Sequence, residues 1–187
     1  MKIKNKKIIG VDEAGRGPLA GPVFAGAAYV KKEPFFLEEI KDSKKISEKK
    51  RERLYDKIVE SNEIIASVAY MSSEVIDSIN ILEATKLAMK EAIEAIEKNG
   101  IVVIDGNFSV PTEREQKAIV KADEKILECS VASILAKVSR DRVMREFDKK
   151  YPEYGFERHK GYPTKAHKEA IKKYGPCAIH RKSFKLI

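Results

Sequence analysis

The sequence predicts an α/β fold in which a mixed β-sheet is covered by helices. The first observation is that two short apolar runs, the first of them rich in β-branched residues, lie close together early in the chain. The second is that later apolar runs are separated by longer segments whose apolar residues recur at helical spacing. The chain has 187 residues, and a domain contains roughly 150. We therefore expect a single domain over residues 1–187, in which residues from about 150 onward form a C-terminal helical lobe.

Four apolar segments are predicted to be β-strands. Residues 8–11 and 23–30 are expected to pair with each other, because the glycines and prolines between them exclude a helix. Residues 63–71 and 101–104 follow later in the chain, and an Asp-Gly dipeptide ends the last of these strands. The charged segment 31–45 is interpreted as a connection.

Helices are predicted between and after these strands. Ser47 is a suitable N-cap for a helix that extends to about residue 59. A serine at position 72 or 73 caps a short helical turn, and a longer helix is expected over about 82–98, where an Asn-Gly dipeptide would end it. Val131 begins a strong helix with an apolar face, and a last helix is expected over about 164–174.

The composition restricts the class of protein. Lys and Arg together number 37 and Asp and Glu 29, and the net charge of +8 is compatible with a polyanionic partner. Cys129 and Cys177 are too isolated for a disulfide framework or a zinc site, so we expect both to be reduced. No apolar run reaches the ~18 residues of a membrane span, and no signal peptide follows the basic N-terminus. We expect a cytoplasmic protein.

Acidic residues follow two of the predicted strands. Asp12 and Glu13 come after the first strand, and Asp105 comes after the fourth. Acids at such places often only mark where a strand reaches solvent, but adjacent strands would bring these three carboxylates together. Like charges repel unless a cation neutralises them, and oxygen ligands favour Mg²⁺ or Mn²⁺ over zinc. Asp123, between two lysines, is a fourth candidate ligand, with a solvated acid as the alternative.

Residues 15–20 match the glycine-rich pattern of dinucleotide-binding loops, because G-x-G-x-x-A follows a predicted strand. That function requires a helix to begin in the loop and to present its N-terminus to the pyrophosphate. The Gly21-Pro22 dipeptide excludes such a helix, and Asp12 and Glu13 would repel a pyrophosphate. We therefore interpret the loop as backbone that can approach a ligand closely.

Basic and aromatic residues favour a contact with nucleic acid. Ser133, Lys137 and Arg140 share one stripe of the predicted helix opposite its apolar face, where they would contact a phosphate backbone or simply face solvent. Residues 158–162 combine cations with Tyr162, which suits a sugar or base contact or packing in the core. The three histidines, at positions 159, 167 and 180, lack metal-ligand spacing and are interpreted as structural or phosphate-facing.

Together these residues resemble the bacterial ribonuclease HII family, of the type 2 ribonucleases H. The matching stretches occur in the family's order over nearly the whole chain, which makes the resemblance specific. They are Gly10-Val-Asp-Glu-Ala-Gly-Arg-Gly17, Asp42-Ser-Lys-Lys45, Asn80-Ile-Leu-Glu-Ala-Thr85, Ile104-Asp-Gly106, Lys121-Ala-Asp123, Ala132-Ser-Ile-Leu-Ala-Lys137 with Arg140-Asp141, His159-Lys-Gly-Tyr162 and His180-Arg-Lys-Ser-Phe184. One departure is Ala122, where many bacterial members have glycine, and this bears on how Asp123 is placed.

The resemblance implies a ribonuclease H-like fold, with a mixed sheet flanked by helices and a C-terminal helical region. It implies an endonuclease that hydrolyses the RNA strand of RNA–DNA hybrids and cuts 5′ of a ribonucleotide embedded in duplex DNA, as in ribonucleotide excision repair. The products would be 3′-hydroxyl and 5′-phosphate ends. Two divalent ions, Mn²⁺ or Mg²⁺, are expected with substrate bound, one activating a water and the other stabilising the departing 3′ oxygen. We expect a monomer that does not bind membranes.

The resemblance also assigns roles to individual residues. The catalytic and metal-binding acids would be Asp12, Glu13, Asp105 and Asp123. The ribonucleotide would be recognised by Gly15, Arg16, Gly17 and Tyr162. Phosphates would be contacted by Lys44, Ser133, Lys137 and Arg140. Two alternatives are a catalytically silent hybrid-binding protein, which the complete set of acids disfavours, and another metal nuclease of the same fold, which the tyrosine and the glycine loop disfavour.

Overall fold

The computed structural model describes residues 6–41 and 47–187, and a five-stranded sheet lies at its centre. The strands are β1 (Ile8–Ala14), β2 (Val23–Val30), β3 (Ile64–Met71), β4 (Ile101–Asp105) and β5 (Gln116–Ile119). The helices are α1 (Leu37–Lys41), α2 (Glu48–Glu60), α3 (Ser73–Ile79), α4 (Ile81–Glu94), α5 (Leu127–Lys150), α6 (Phe156–His159) and α7 (Lys165–Tyr174). Across the sheet the strand order is β3-β2-β1-β4-β5.

The strand pairing makes the sheet mixed, as the sequence predicts. β1 pairs antiparallel with β2, and β2 pairs antiparallel with β3. β1 and β4 are parallel neighbours in which Val11 lies opposite Ile104, and β5 adds a second parallel pair. The C-terminal ends of β1 and β4 therefore meet at the same edge of the sheet. This register places Asp12 beside Asp105.

Helices cover both faces of the sheet. On one face, Met89 and Ile93 of α4 are buried in an apolar cluster with Val11. On the other face, Ile134 and Leu135 of α5 are buried in a second cluster, to which α2 also contributes. Each face thus buries its own apolar layer, which is the arrangement expected when a sheet carries helices on both sides.

The approach of α5 to the sheet is unusually close at two glycines. A Cβ atom on Gly26 would lie 2.3 Å from the carbonyl oxygen of Ala132, and one on Gly10 would lie 2.2 Å from the carbonyl carbon of Glu128. Real Cβ atoms do not come this near to backbone, so only glycine permits this packing. The two contacts determine how high α5 lies above β1 and β2.

The C-terminal part of the chain packs on the far end of α5 around an apolar cluster of its own. Met144 of α5 is buried there with Phe156 and Ile171. Leu19, from the glycine-rich loop after β1, joins the same cluster, and its amide donates to the carbonyl of Gly161 at 2.8 Å. The loop is therefore attached to the C-terminal region as well as to the sheet.

Most of the predicted elements are confirmed. The four predicted strands are present, and β1 continues through Asp12 and Glu13. Ser47, Ser72 and Thr164 accept hydrogen bonds from backbone amides as the N-caps of α2, α3 and α7. None of the described helices combines the length and the apolar character that a membrane span requires.

The expected start of α5 at Val131 is wrong, because the helix begins at Leu127. A 3₁₀ turn over Ala122–Glu124 leads directly into it. The amide of Ile126 donates to the carbonyl of Ala122 at 2.8 Å, so the chain is already coiled when the apolar periodicity begins. The side-chain pattern of the helix therefore understates its length by one turn.

The expected end of α4 near residue 98 is also wrong, because the helix ends at Glu94. The guanidinium group of Arg114 donates to the carbonyls of Ile96 and Lys98 at 2.8 and 2.6 Å. These carbonyls are thus satisfied from another segment, and the chain leaves the helix early. Three elements, α1, α6 and β5, were not predicted, since all three are short and mostly lack the periodic burial that marks an amphipathic element.

We expect Gly26→Ala to lower the free energy of unfolding by about 1–3 kcal/mol or more, because its methyl group must push α5 away from the sheet. At this chain length such a loss lowers Tm by roughly 2–4 °C per kcal/mol. Gly17→Ala is the matched control, since its Cβ would meet only Tyr162 at an ordinary 3.6 Å. Thermal unfolding of the two variants checks this, and equal melting temperatures would contradict the close packing of α5.

Candidate metal centre and recognition cleft

Three aspartates converge at the edge of the sheet where β1 and β4 end. Asp12 and Asp105 come from these two adjacent strands, and Asp123 comes from the 3₁₀ turn before α5. One carboxylate oxygen from each lies within 4.8 Å of the others. The structure therefore brings together three of the four acids that the sequence proposes as metal ligands.

Asp123 is placed by the backbone of the 3₁₀ turn. Lys121 takes the left-handed conformation with φ of 59°, and the amide of Ala122 donates to Oδ1 of Asp105 at 3.1 Å. The hydroxyl of Ser130 donates to the carbonyl of Asp123 at 2.5 Å. The left-handed residue is Lys121 and not Ala122. An alanine at position 122 is thus compatible with the turn, although many members of the family have glycine there.

Glu13 lies beside this cluster without being one of its three closest members. Its Oε1 accepts a long hydrogen bond of 3.5 Å from Arg16. Its Oε2 is buried and has no hydrogen-bond partner among the residues that the structure describes. A buried carboxylate oxygen without a donor is unfavourable, so this atom is available to a ligand that the protein itself does not supply.

The electrostatics of the cluster favour a cation. Burial, together with the nearby charge of Glu13, raises the pKa of Asp12 to about 8, while a hydrogen bond from Ser133 opposes the shift. Burial also raises the pKa of Glu13, against the effect of Arg16. The pKa of Asp105 is raised by burial and by its hydrogen bond with Asp123. The carboxylates thus hold negative charge at a free-energy cost that a divalent cation would remove.

A cleft of 320 Å³ opens next to the acids, between the glycine loop and the turn that carries Tyr162. Gly15 has φ of 100°, a conformation that disfavours any side chain, and a Cβ there would lie 2.1 Å from Nε of Arg140. Tyr162 is 41% exposed, so its ring is open to the cleft and is not packed in the core. The cleft is lined by Glu13, Ala14, Gly15, Arg16, Gly17, Ser133, Lys137 and Tyr162.

A chain of histidines holds the backbone of Tyr162. The amide of Cys177 donates to Nδ1 of His180, so the proton of His180 is on Nε2. This Nε2 lies 3.1 Å from Nε2 of His167, and Nδ1 of His167 lies 2.9 Å from the carbonyl of Tyr162. His167 therefore accepts from His180 and donates to Tyr162. The histidines at 167 and 180 are buried and do not face phosphate, which corrects one of the two interpretations of the sequence.

The residues expected to contact phosphate occupy different places. Ser133 bonds the carboxylate of Asp12, and Nζ of Lys137 lies 2.7 Å from Oδ1 of Asp141. Both residues line the cleft. Lys44 lies outside the described residues.

The expectation that Arg140 lies on an exposed stripe is wrong. Arg140 is only 1% exposed, and its guanidinium group donates to the carbonyls of Ala20, Pro22 and Lys160. The helical spacing of Ser133, Lys137 and Arg140 is real, but the C-terminal region covers the part of the stripe that contains Arg140. A phosphate has no access to a guanidinium group buried in this way.

Comparisons with known proteins agree on one family. The family model described as Ribonuclease HII matches residues 9–187. The ribonuclease HII of Caldicellulosiruptor saccharolyticus is 53% identical over 178 residues, which cover 95% of this chain and 86% of that protein. The ribonuclease HII of Archaeoglobus fulgidus, solved in complex with PCNA, has a TM-score of 0.82 at 28% identity, covering 97% of this chain and 96% of that one. The ribonuclease H2 of Pyrococcus horikoshii OT3 has a TM-score of 0.77 at 30% identity, covering 96% and 94%.

We expect Asp12→Asn to stabilise the protein without metal at pH 9, where the buried carboxylate is charged, by about 1 kcal/mol or more. Added Mn²⁺ should raise the Tm of the unmodified protein and raise that of the variant much less, because the variant lacks one charged ligand. Glu124→Gln is the control, as it removes an exposed acid next to Asp123. An equal rise of Tm in all three proteins would contradict a metal site at Asp12.

We expect His167 to make a contribution to stability that is lost as the pH falls from about 6.5 to about 4. Burial lowers the pKa of His167 from 6.5 to about 4 and also lowers the pKa values of His159 and His180. Between these pH values the unfolded chain binds a proton at His167 that the folded chain does not, so this residue favours unfolding in acid, whereas the raised pKa of Asp12 acts in the opposite direction. His167→Asn should therefore lower the slope of unfolding free energy against pH by up to about 1.4 kcal/mol per unit relative to the unmodified protein. Denaturant unfolding at several pH values measures this, and an unchanged slope would mean that His167 is not buried in neutral form.

Proposed function

The chain belongs to the ribonuclease HII family, whose members are metal-dependent endonucleases, and from this membership we propose a specific activity. The protein hydrolyses the RNA strand of RNA–DNA hybrids, and it cuts duplex DNA on the 5′ side of a single embedded ribonucleotide. The observation that carries the proposal is the position of the three aspartates directly beside the cleft formed by the glycine loop and Tyr162.

Asp12, Glu13, Asp105 and Asp123 would hold the divalent ions, two of them when substrate is bound. The set consists of carboxylates alone, which suits Mg²⁺ or Mn²⁺. When bound, the ions supply an activated water and neutralise negative charge at the phosphate and at the departing 3′ oxygen. Ser133 orients the Asp12 carboxylate, and the amide of Ala122 orients that of Asp105, so both ligands are held before the ions arrive.

The cleft selects the substrate. The ring of Tyr162 lies beside Gly17, whose Cβ, if present, would be 3.6 Å from Cε1 of the ring. A sugar that enters between them meets an aromatic face on one side and bare backbone on the other. The 2′-hydroxyl is the chemical group that distinguishes RNA from DNA at this place, and bare backbone can reach it without a steric penalty.

Lys137 supplies positive charge at the mouth of the cleft. Its ammonium group is tied to Asp141, a buried acid one turn further along α5, so its position is defined before substrate binds. A lysine so placed attracts a phosphate of the backbone without reading the base. Lys137 thus holds the nucleic-acid strand near the aspartates, while the cleft selects the sugar.

The proposed activity is tested with a DNA duplex that contains one ribonucleotide and carries a 5′ label. With Mn²⁺ or Mg²⁺ we expect one cut, on the 5′ side of the ribonucleotide, and no cut in the all-DNA duplex. Asp105→Asn should lower the rate by roughly 10²-fold or more, since it removes a charged ligand and not merely a residue that orients one. Glu124→Gln, an exposed acid outside the cluster, should keep the normal rate. Cleavage without a divalent ion, or near-normal turnover by Asp105→Asn, would overturn the proposal.

A further inference from the structure

Arg181 is a fully buried arginine that bonds only to backbone. It is 0% exposed, and no carboxylate forms a salt bridge with it within the described part of the chain. Its guanidinium group donates to the carbonyl of Gly15 at 2.6 Å and to that of Arg16 at 3.0 Å. Further bonds reach the carbonyls of Gly21 and Pro22 at 2.9 and 3.2 Å. All four acceptors belong to the loop between β1 and β2.

Burying the charged guanidinium group of Arg181 costs free energy. Burial lowers the pKa of Arg181 from 12.5 to about 9, so the charge is held at a cost. A buried guanidinium group that lacks a carboxylate depends on its hydrogen bonds to carbonyl dipoles. The loop carbonyls depend on it in turn, because the Gly15–Gly17 segment has no strand or helix partners to satisfy them. Arg181 and the loop therefore require each other.

Because the peptide bond is planar, the direction of each of these carbonyls also fixes the direction of the N–H group that follows it. In a trans peptide the C=O of one residue and the N–H of the next point in opposite directions. The Gly15 and Arg16 carbonyls point inward to Arg181, so the N–H groups of Arg16 and Gly17 point away from it. Neither amide donates a hydrogen bond to any residue that the structure describes. Arg16 and Gly17 line the cleft, and Gly17 is exposed.

We propose that Arg181 is a positioning residue for this loop: by holding two carbonyls inward, it fixes the direction in which the amides of Arg16 and Gly17 face the cleft where the proposed function places the ribonucleotide. The proposal rests on the proposed function, because it takes the glycine loop as the part of the cleft that reads the sugar. It assigns a role to a residue that does not touch substrate.

Two other contacts separate this role from general support of the fold. Arg140 bonds to Ala20, Pro22 and Lys160, but not to the two carbonyls that orient these amides. Asp77 anchors the segment that follows Arg181, since its carboxylate accepts from the amides of Lys182 and Ser183 at 2.8 and 2.9 Å. Asp77 therefore offers a way to loosen Arg181 without removing it.

The test compares binding of two duplexes that differ only in one 2′-hydroxyl, in an Asp105→Asn background that prevents cleavage. The measured quantity is the ratio of Kd for the all-DNA duplex to Kd for the duplex with one ribonucleotide. We expect Arg181→Lys to lower this ratio by about tenfold, since an ammonium group cannot hold both carbonyls and the amides lose their direction. Ile96→Ala is the matched control, because it destabilises the apolar cluster on the α4 face of the sheet, which contains no residue of the loop, and should leave the ratio unchanged.

Each outcome decides one question. A ratio near one in the Asp105→Asn background alone would contradict the proposed function, whatever Arg181 does. A clear preference in that background that survives Arg181→Lys unchanged would overturn the role of Arg181. If melting curves show that Arg181→Lys does not fold, Asp77→Asn takes its place, and it should lower the ratio by a smaller factor. An unchanged ratio in a folded Asp77→Asn protein would overturn the proposal as well.

Discussion

The site depends on the burial of two guanidinium groups that bond to main-chain carbonyls and form no salt bridge in the described part of the chain. Arg140 and Arg181 together bind carbonyls along the loop from Gly15 to Pro22. A loop of this length usually satisfies its backbone with water and moves accordingly. Here two buried guanidinium groups supply the donors, so these loop carbonyls are satisfied from within the protein. Arg140 also bonds the carbonyl of Lys160, which links the loop to the turn that carries Tyr162.

The second constraint is the close packing of α5 against the sheet. The glycines at positions 10 and 26 let this helix lie against the backbone of β1 and β2. The same helix then presents Ser133 to Asp12, Lys137 to the cleft and Arg140 to the loop. One helix therefore contributes side chains both to the surroundings of the acids and to the cleft. A change in the height of α5 would disturb both together, which couples the stability of the core to the geometry of the site.

Much of this arrangement follows from sequence patterns, and the remainder depends on contacts between distant segments. The apolar runs before Asp12 and Asp105 predict two strand ends, and the adjacency of those strands makes the acids converge. Arg140 was misplaced because helical spacing identifies a stripe but does not reveal that the C-terminal region covers it. The end of α4 was also misplaced because of a contact from a distant segment: Arg114, which donates to the carbonyl of Lys98, is 16 residues away in the sequence. Arg181 lies in a stretch that matches the family, but nothing in that stretch indicates its burial, and its four bonds to loop carbonyls are what reveal its part in the site.

The most direct measurement is of the loop amides themselves. In the ¹H–¹⁵N spectrum of the Asp105→Asn protein, the resonances of Arg16 and Gly17 can be followed while each duplex is added. If the buried arginine turns these amides toward the 2′-hydroxyl, both resonances move downfield with the duplex that contains one ribonucleotide and move much less with the all-DNA duplex. Equal shifts with the two duplexes, or no shift at Arg16 and Gly17 with either, would contradict the orientation of the loop on which the recognition depends.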